Sequence, residues 1–192
     1  MTSSLSCLVR AAAILVLAAL SAPVPAQTPP AAVSSPAPAS QVLGTATKTA
    51  RATNKNILLH YTASWCGWCK RLNAALHSPE LNKLFTNHFV LVSLDVMESG
   101  DKKALENPGA NKYLADMGGA KSGLPFTVFL DKNGKKLADS NVLPGGSNIG
   151  YPAAPAEIAA FAKLLAKAAP RMSAAERAKI TDYLKAHAPA AH

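Results

Sequence analysis

Trp65-Cys66-Gly67-Trp68-Cys69-Lys70 decides the reading of this chain. Two thiols separated by two residues at a helix start can close and reopen a disulfide. With Cys66 on the first helical turn, unpaired backbone N–H groups and the positive end of the helix dipole favour its thiolate, the form that attacks disulfides. Cys69 follows about one turn later, close enough to resolve the mixed disulfide that Cys66 forms with a substrate. The expected asymmetry is an accessible, ionised Cys66 and a sheltered Cys69. The same spacing also serves half a zinc site or a haem attachment motif, so its surroundings matter. Haem attachment wants His straight after the second cysteine, where this chain has Lys70. Zinc wants two more soft ligands; the other cysteine is Cys7, and His77 and His88 lie eleven residues apart, outside the short interval of zinc fingers. No metal is expected, and no cofactor beyond the Cys66–Cys69 pair itself.

Residues 1–26 read as an export signal. Arg10 and the amino terminus supply positive charge, Ala11 to Leu20 form an apolar run, and Val24-Pro25-Ala26 places small residues before a cut at Gln27. That run falls short of the roughly 20 residues needed to cross a bilayer as a helix. The sparse positive charge nevertheless leaves open an uncleaved membrane anchor. Export places the protein in the periplasm or outside the cell, where thiols tend to be oxidised. It also removes Cys7, so both remaining cysteines belong to the motif.

Residues 27–47 are rich in Pro, Ala, Ser and Thr and lack aromatic residues. Such a stretch buries too little apolar surface to offset its ordering entropy, and a disordered linker is expected. The chain carries 20 Lys and Arg against 11 Asp and Glu, a formal net charge of +9. The lysines are spread from Lys48 to Lys185 and no Gly-rich phosphate loop is visible, which argues against nucleic acid. An acidic partner or a membrane surface stays open, the latter if the signal segment is retained.

Thr45 to Lys55 suggests a short polar helix, and Ile57 to Thr62 a buried strand leading into the motif. The motif helix continues to His77 with Leu72, Ala75 and Leu76 at helical spacing, and Ser78-Pro79 interrupts it. Glu80 to Asn87 makes another helical turn or two. Phe89 to Val96 is a second buried strand, and Asn111 to Met117 a short helix. Phe126 to Leu130, Asp131-Lys132-Asn133-Gly134 and Lys135 to Leu137 read as strand, turn and strand. Helices open at Pro155, with Ile158, Phe161, Leu164 and Leu165 on one face, and at the capping box Ser173 to Glu176. Between them Leu143 to Pro152 is a Gly- and Pro-rich loop, either a binding surface or a plain connection. The alternation argues for an α/β fold, a central sheet with helices on both faces.

Four pieces in order carry a family resemblance: the strand entering Ala63 to Lys70, the strand ending in Asp95, Gly123-Leu124-Pro125, and the strand-turn-strand closing at Asn133-Gly134. Together they resemble the thioredoxin superfamily, especially its exported members. The resemblance implies a three-layer thioredoxin-like fold with a central mixed sheet over residues 48–169. Residues 170–192 then form a C-terminal helical extension and tail. It also implies a cis bond between Leu124 and Pro125 beside the dithiol, where an extended substrate pairs with backbone. The implied activity is thiol-disulfide exchange with protein or peptide substrates, served by a further redox partner that recycles the dithiol. Reduction is the first expectation; net oxidation or isomerisation, or a non-catalytic binding module, are the alternatives.

Departures from thioredoxin bear on mechanism. His60 stands six residues before the first cysteine, where thioredoxin has a buried aspartate. It is a candidate base for Cys69, a candidate cation beside the thiolate, or a packed strand histidine without a role in turnover. Gly67-Trp68 replaces Gly-Pro between the cysteines, a change that tunes redox potential. Lys70 and Arg71 follow the motif and no carboxylate precedes Glu80, which is expected to lower the Cys66 pKa unless both charges simply point into water. Trp65 and Trp68 are candidates for an apolar substrate rim, Trp68 foremost, with Gly67, Leu124 and Pro125 completing it.

Overall fold

The computed structural model describes residues 35–189. The expected export signal, and the linker as far as residue 34, lie outside the described residues. The first element overturns the rest of the linker expectation: helix α1 runs Ala39–Thr53, not from Thr45, so residues 39–47 are ordered. Composition misled because small residues suffice here. Ala39, Ala46 and Ala50 are buried on one face and pack with Val42 and Leu43 against the sheet. Backbone ties help, with Ala39 N–H donating to Pro108 O and Asn107 Nδ2 to Ala37 O, both at 2.9 Å.

Strand β1 (Asn56–Thr62) follows, then α2 (Gly67–Leu76), α3 (Asn82–His88) and β2 (Phe89–Asp95). A 3-10 turn at Gly100–Leu105 leads to α4 (Ala110–Asp116), β3 (Phe126–Leu130) and β4 (Lys136–Asp139). A small hairpin of β5 (Asn141–Leu143) and β6 (Ser147–Asn148) precedes α5 (Pro155–Ala168) and α6 (Ala174–Ala186). The Leu143 to Pro152 stretch, read as a loop, therefore contains one arm of this hairpin.

The main sheet has the order β2-β1-β3-β4, with β1 parallel to β2 and antiparallel to β3. Apolar runs without alternation make β1 and β3 central strands buried on both faces. Period-two side-chain placement then divides the core. Ile57, Leu59 and Tyr61 join α1 and α4 on one side; Leu58, Phe89 and Phe129 join α2, α3, α5 and α6 on the other. Helix α6 belongs to that second core through Ile180 and Leu184. It starts as its capping box predicts, with Ser173 Oγ accepting Glu176 N–H at 3.2 Å and Glu176 Oε2 accepting Ser173 N–H at 2.8 Å. Among the described residues no helix is long and apolar enough to cross a membrane.

The chain from α4 into β3 is packed so closely that it tolerates only glycine at one point. A Cβ on Gly119 would lie 2.3 Å from Leu114 Cδ1 and 2.6 Å from Phe126 Cδ1, two side chains that are themselves fully enclosed. Gly119→Ala is expected to cost about 1–3 kcal/mol by overpacking. Equilibrium urea unfolding checks this; a change below a few tenths of a kcal/mol would show that the segment yields freely.

Candidate active site

β1 ends at Thr62 and the chain turns through Ala63 to Trp65 before α2 begins. Cys66 is the N-cap of α2 in extended conformation, its N–H donating to Ala63 O at 3.0 Å. Its Sγ accepts the N–H of Cys69 at 3.1 Å. One of the unpaired donors at the helix start thus points at the first sulfur, the arrangement that stabilises a thiolate there once the pair is reduced. Here the pair is oxidised, a Cys66–Cys69 disulfide with the Cα atoms 5.3 Å apart.

Cys66 is only 4 % exposed and Cys69 1 %, so in the disulfide form neither sulfur-bearing residue is open to solvent. Ala63 and Leu124 pack against the pair and cover it. The Leu124–Pro125 bond is cis, as the resemblance implied, and Pro125 is buried while Leu124 is half-buried.

The aromatic rim is present. Trp65 is 56 % and Trp68 48 % exposed, with Gly67 exposed between the cysteines. Trp65 is nevertheless anchored, its Nε1–H donating to Met97 O at 2.9 Å. Trp68 stacks on Tyr151, ring centres 6.0 Å apart and planes 21° apart, and the Arg71 guanidinium sits 5.7 Å from its ring centre. Arg71 and Lys70 are both exposed, where charges act weakly at physiological salt.

Sequence reasoning found no carboxylate near the motif, but the fold supplies one. Glu98, buried in the loop after β2, accepts Ser64 N–H at 2.5 Å and the Ser64 hydroxyl at 2.9 Å. Its own N–H donates to Glu106 Oε1 at 2.8 Å. No local pattern announced Glu98, since it sits 34 positions from its partner. Tyr151 and Asn148 were missed for the same reason. Each lies far along the chain from what it touches.

His60 lies on the same face of β1 as Leu58 and is 2 % exposed, its Nδ1 without a partner among the described residues. With Cys69 it lines a cavity of about 350 Å³ that also takes in Thr62, Asn73, Ser93 and Asp95. Burial foremost, then the neighbouring His77, lower its pKa from 6.5 to about 4, against a raising contact with the Val92 backbone. Burial thus favours the neutral imidazole, which weighs against the cation role and toward a base or a packed residue. Asp95 is shifted the other way, upward, by burial and then by the Glu98 charge. His77 and His88, considered as zinc partners, are engaged elsewhere: His77 Nδ1 with Asn73 O at 2.9 Å, His88 Nε2 with Glu176 Oε1 at 3.2 Å.

Residues 40–132 match a family model described as thioredoxin-like. Similar solved structures include a disulphide isomerase from Xylella fastidiosa Temecula1, 20% identical, covering 86% of this chain and 96% of that one at a TM-score of 0.46. A DsbH oxidoreductase is 25% identical over 77% of this chain and 94% of its own, at 0.43. A thioredoxin from Thermus thermophilus is 19% identical over 58% and 75%, at 0.39. No curated protein matches the chain significantly.

The lowered His60 pKa predicts a pH dependence of stability. The unfolded chain binds this proton near pH 6.5 and the folded chain only near pH 4, so acidification between those values favours unfolding. This contribution is complete above about pH 6.5 and shrinks as pH falls to 4, by about 3 kcal/mol. Urea unfolding of wild type and His60→Leu at both pH limits measures it. An acid loss of equal size in the two proteins would assign the effect to other groups.

Proposed function

The chain carries a thioredoxin-like domain at residues 40–132, and from that premise we propose that it is an exported thiol-disulfide oxidoreductase acting on protein or peptide substrates as a reductant. What carries the reading is the placement of Cys66. It caps α2, receives the Cys69 N–H, is bonded to Cys69, and lies under the cis Leu124–Pro125 loop.

In the reducing direction the Cys66 thiolate attacks one sulfur of a substrate disulfide. A mixed disulfide forms and one substrate thiolate leaves. The Cys69 proton departs, and the Cys69 thiolate attacks Cys66 Sγ, releasing the second substrate thiol and closing the Cys66–Cys69 bond. Two electrons pass to the substrate, and a separate dithiol protein must return them. His60 is the candidate acceptor for the Cys69 proton: it lines the same cavity as Cys69 and its Nδ1 has no partner among the described residues, while its lowered pKa makes it a weak base that passes the proton on rather than keeping it. Trp65, Trp68, Gly67 and Leu124 supply the surface on which the substrate rests. Lys70 and Arg71 add a modest bias toward the thiolate. Residues 1–26, read as a signal peptide, would deliver the protein to the periplasm or beyond, where protein disulfides are plentiful.

Insulin reduction with dithiothreitol tests catalysis. Cys66→Ser is expected to fall to the uncatalysed rate, whereas equal rates for wild type and variant would leave only a binding module. Cys69→Ser is expected to strand substrates as mixed disulfides on Cys66. The potential of the pair fixes direction: a value near thioredoxin's roughly −270 mV supports a reductant, and one near roughly −120 mV an oxidant.

A further inference from the structure

The segment from Ser140 to Tyr151 lies beyond the residues that match the family, yet it is fastened to both sides of the candidate substrate rim. Its centre is Asn148. The side-chain Nδ2 donates to Gly123 O at 2.6 Å and to Pro125 O at 3.0 Å. Its Oδ1 accepts the Ser140 hydroxyl at 2.6 Å and the Gly150 N–H at 3.1 Å. Buried Ser140 Oγ in turn accepts the Thr127 N–H at 2.9 Å. Every polar function of the amide is used, and the reverse orientation would set its oxygen against two carbonyls. A second tie lies nearby, where Ser122 Oγ donates to Asn141 Oδ1 at 2.9 Å and Asn141 Nδ2 to Gly118 O at 3.2 Å.

These bonds hold the carbonyls on either side of Leu124. Leu124 itself is different: among the described residues neither its N–H nor its C=O has a hydrogen-bond partner. A residue before proline is kept extended. Its two free backbone groups leave open the rung at which the family resemblance places an extended substrate; what holds that rung in place in this chain is Asn148. The same segment then delivers Tyr151, only 6 % exposed, as a backing for the half-exposed Trp68. A braced ring loses little rotamer freedom when a ligand settles on it.

We propose that Ser140–Tyr151 is a specificity element for extended polypeptide substrates. Asn148 positions the Leu124 backbone to pair with the substrate strand beside the reacting cysteine, and Tyr151 holds Trp68 as the rest for a neighbouring apolar side chain. Both act through another residue, so both are positioning residues. The proposal rests on the oxidoreductase reading and concerns which disulfides are taken, not how they exchange.

The test compares two substrates: a disulfide-bonded polypeptide, insulin, and neutral hydroxyethyl disulfide, which has no strand to pair. Their ratio of kcat/KM cancels any change in Cys66 reactivity. Asn148→Ala is expected to lower the ratio about tenfold, chiefly through the KM for insulin, as two carbonyls lose their donor. Asn148→Asp keeps the oxygen that Ser140 and Gly150 need but sets a charged oxygen against the Gly123 and Pro125 carbonyls, and is expected to lower the ratio at least as far; urea unfolding of both variants separates loss of the fold from loss of selectivity. Tyr151→Ala is expected to lower it about threefold, and Tyr151→Phe, which keeps the ring, by less. The potential of the dithiol in Asn148→Ala is expected to match wild type. Equal losses on both substrates, or an unchanged ratio in both Asn148 variants, overturn the specificity element while leaving the oxidoreductase standing. A wild type that reduces neither disulfide overturns both.

Discussion

Two strands that finish and a third that begins at one end of the sheet are the constraint from which the site follows. β1 lies between β2 and β3, with Thr62 paired to Asp95 and Tyr61 to Phe126. Hydrogen-bonded strands lie about 4.8 Å apart, so whatever the chain does just past those residues occurs within a side chain's reach. Beyond Thr62 it caps α2 with Cys66; beyond Asp95 it presents Met97 and Glu98; just before Phe126 it presents cis Pro125. Burial of β1 on both faces fixes this register, because a slip by one residue would exchange Leu58 and His60 for Leu59 and Tyr61 between two different cores.

The electrostatics of the dithiol are a balance, not a simple excess of positive charge. The start of α2 directs a donor at Cys66 Sγ, which favours the thiolate. Against it stands the buried Glu98 carboxylate, bonded to Ser64 two residues before that sulfur. The flanking Lys70 and Arg71 are solvated and count for less than their proximity in sequence suggested. Behind Cys69 a neutral His60 and a carboxyl at Asp95 with raised pKa share one cavity. Burial pushes both toward their uncharged forms, so a charge left near the second sulfur is costly and a proton taken from it must be passed on rather than held there.

Local patterns were read well where local physics decides. The strand Phe126–Leu130 follows its apolar run, α5 its proline, and α6 its Ser173–Glu176 box. Helix α1 was misread from Thr45 because Ala-, Ser- and Thr-rich composition resembles a linker; only the sheet surface opposite shows that Ala39 and Ala46 are the small residues a close helix approach requires. Leu143 to Pro152 gave no sign of what it touches. Asn148 bonds a loop 25 positions away, and an isolated asparagine two residues from Gly146 and from Gly150 reads equally well as an ordinary turn residue.

The sequence by itself determined the reactive pair, because spacing and the start of a helix are local properties carried by six consecutive residues. It also determined most of the helices and strands, whose periodicity and caps need no distant partner. Tertiary structure alone decided what surrounds that pair: which carboxylate grips its approach, which histidine lies behind it in the neutral state, and which asparagine and tyrosine brace its rim. These depend on strand register and on contacts across tens of residues, and an interaction made in space leaves no mark on the neighbours in sequence of either partner.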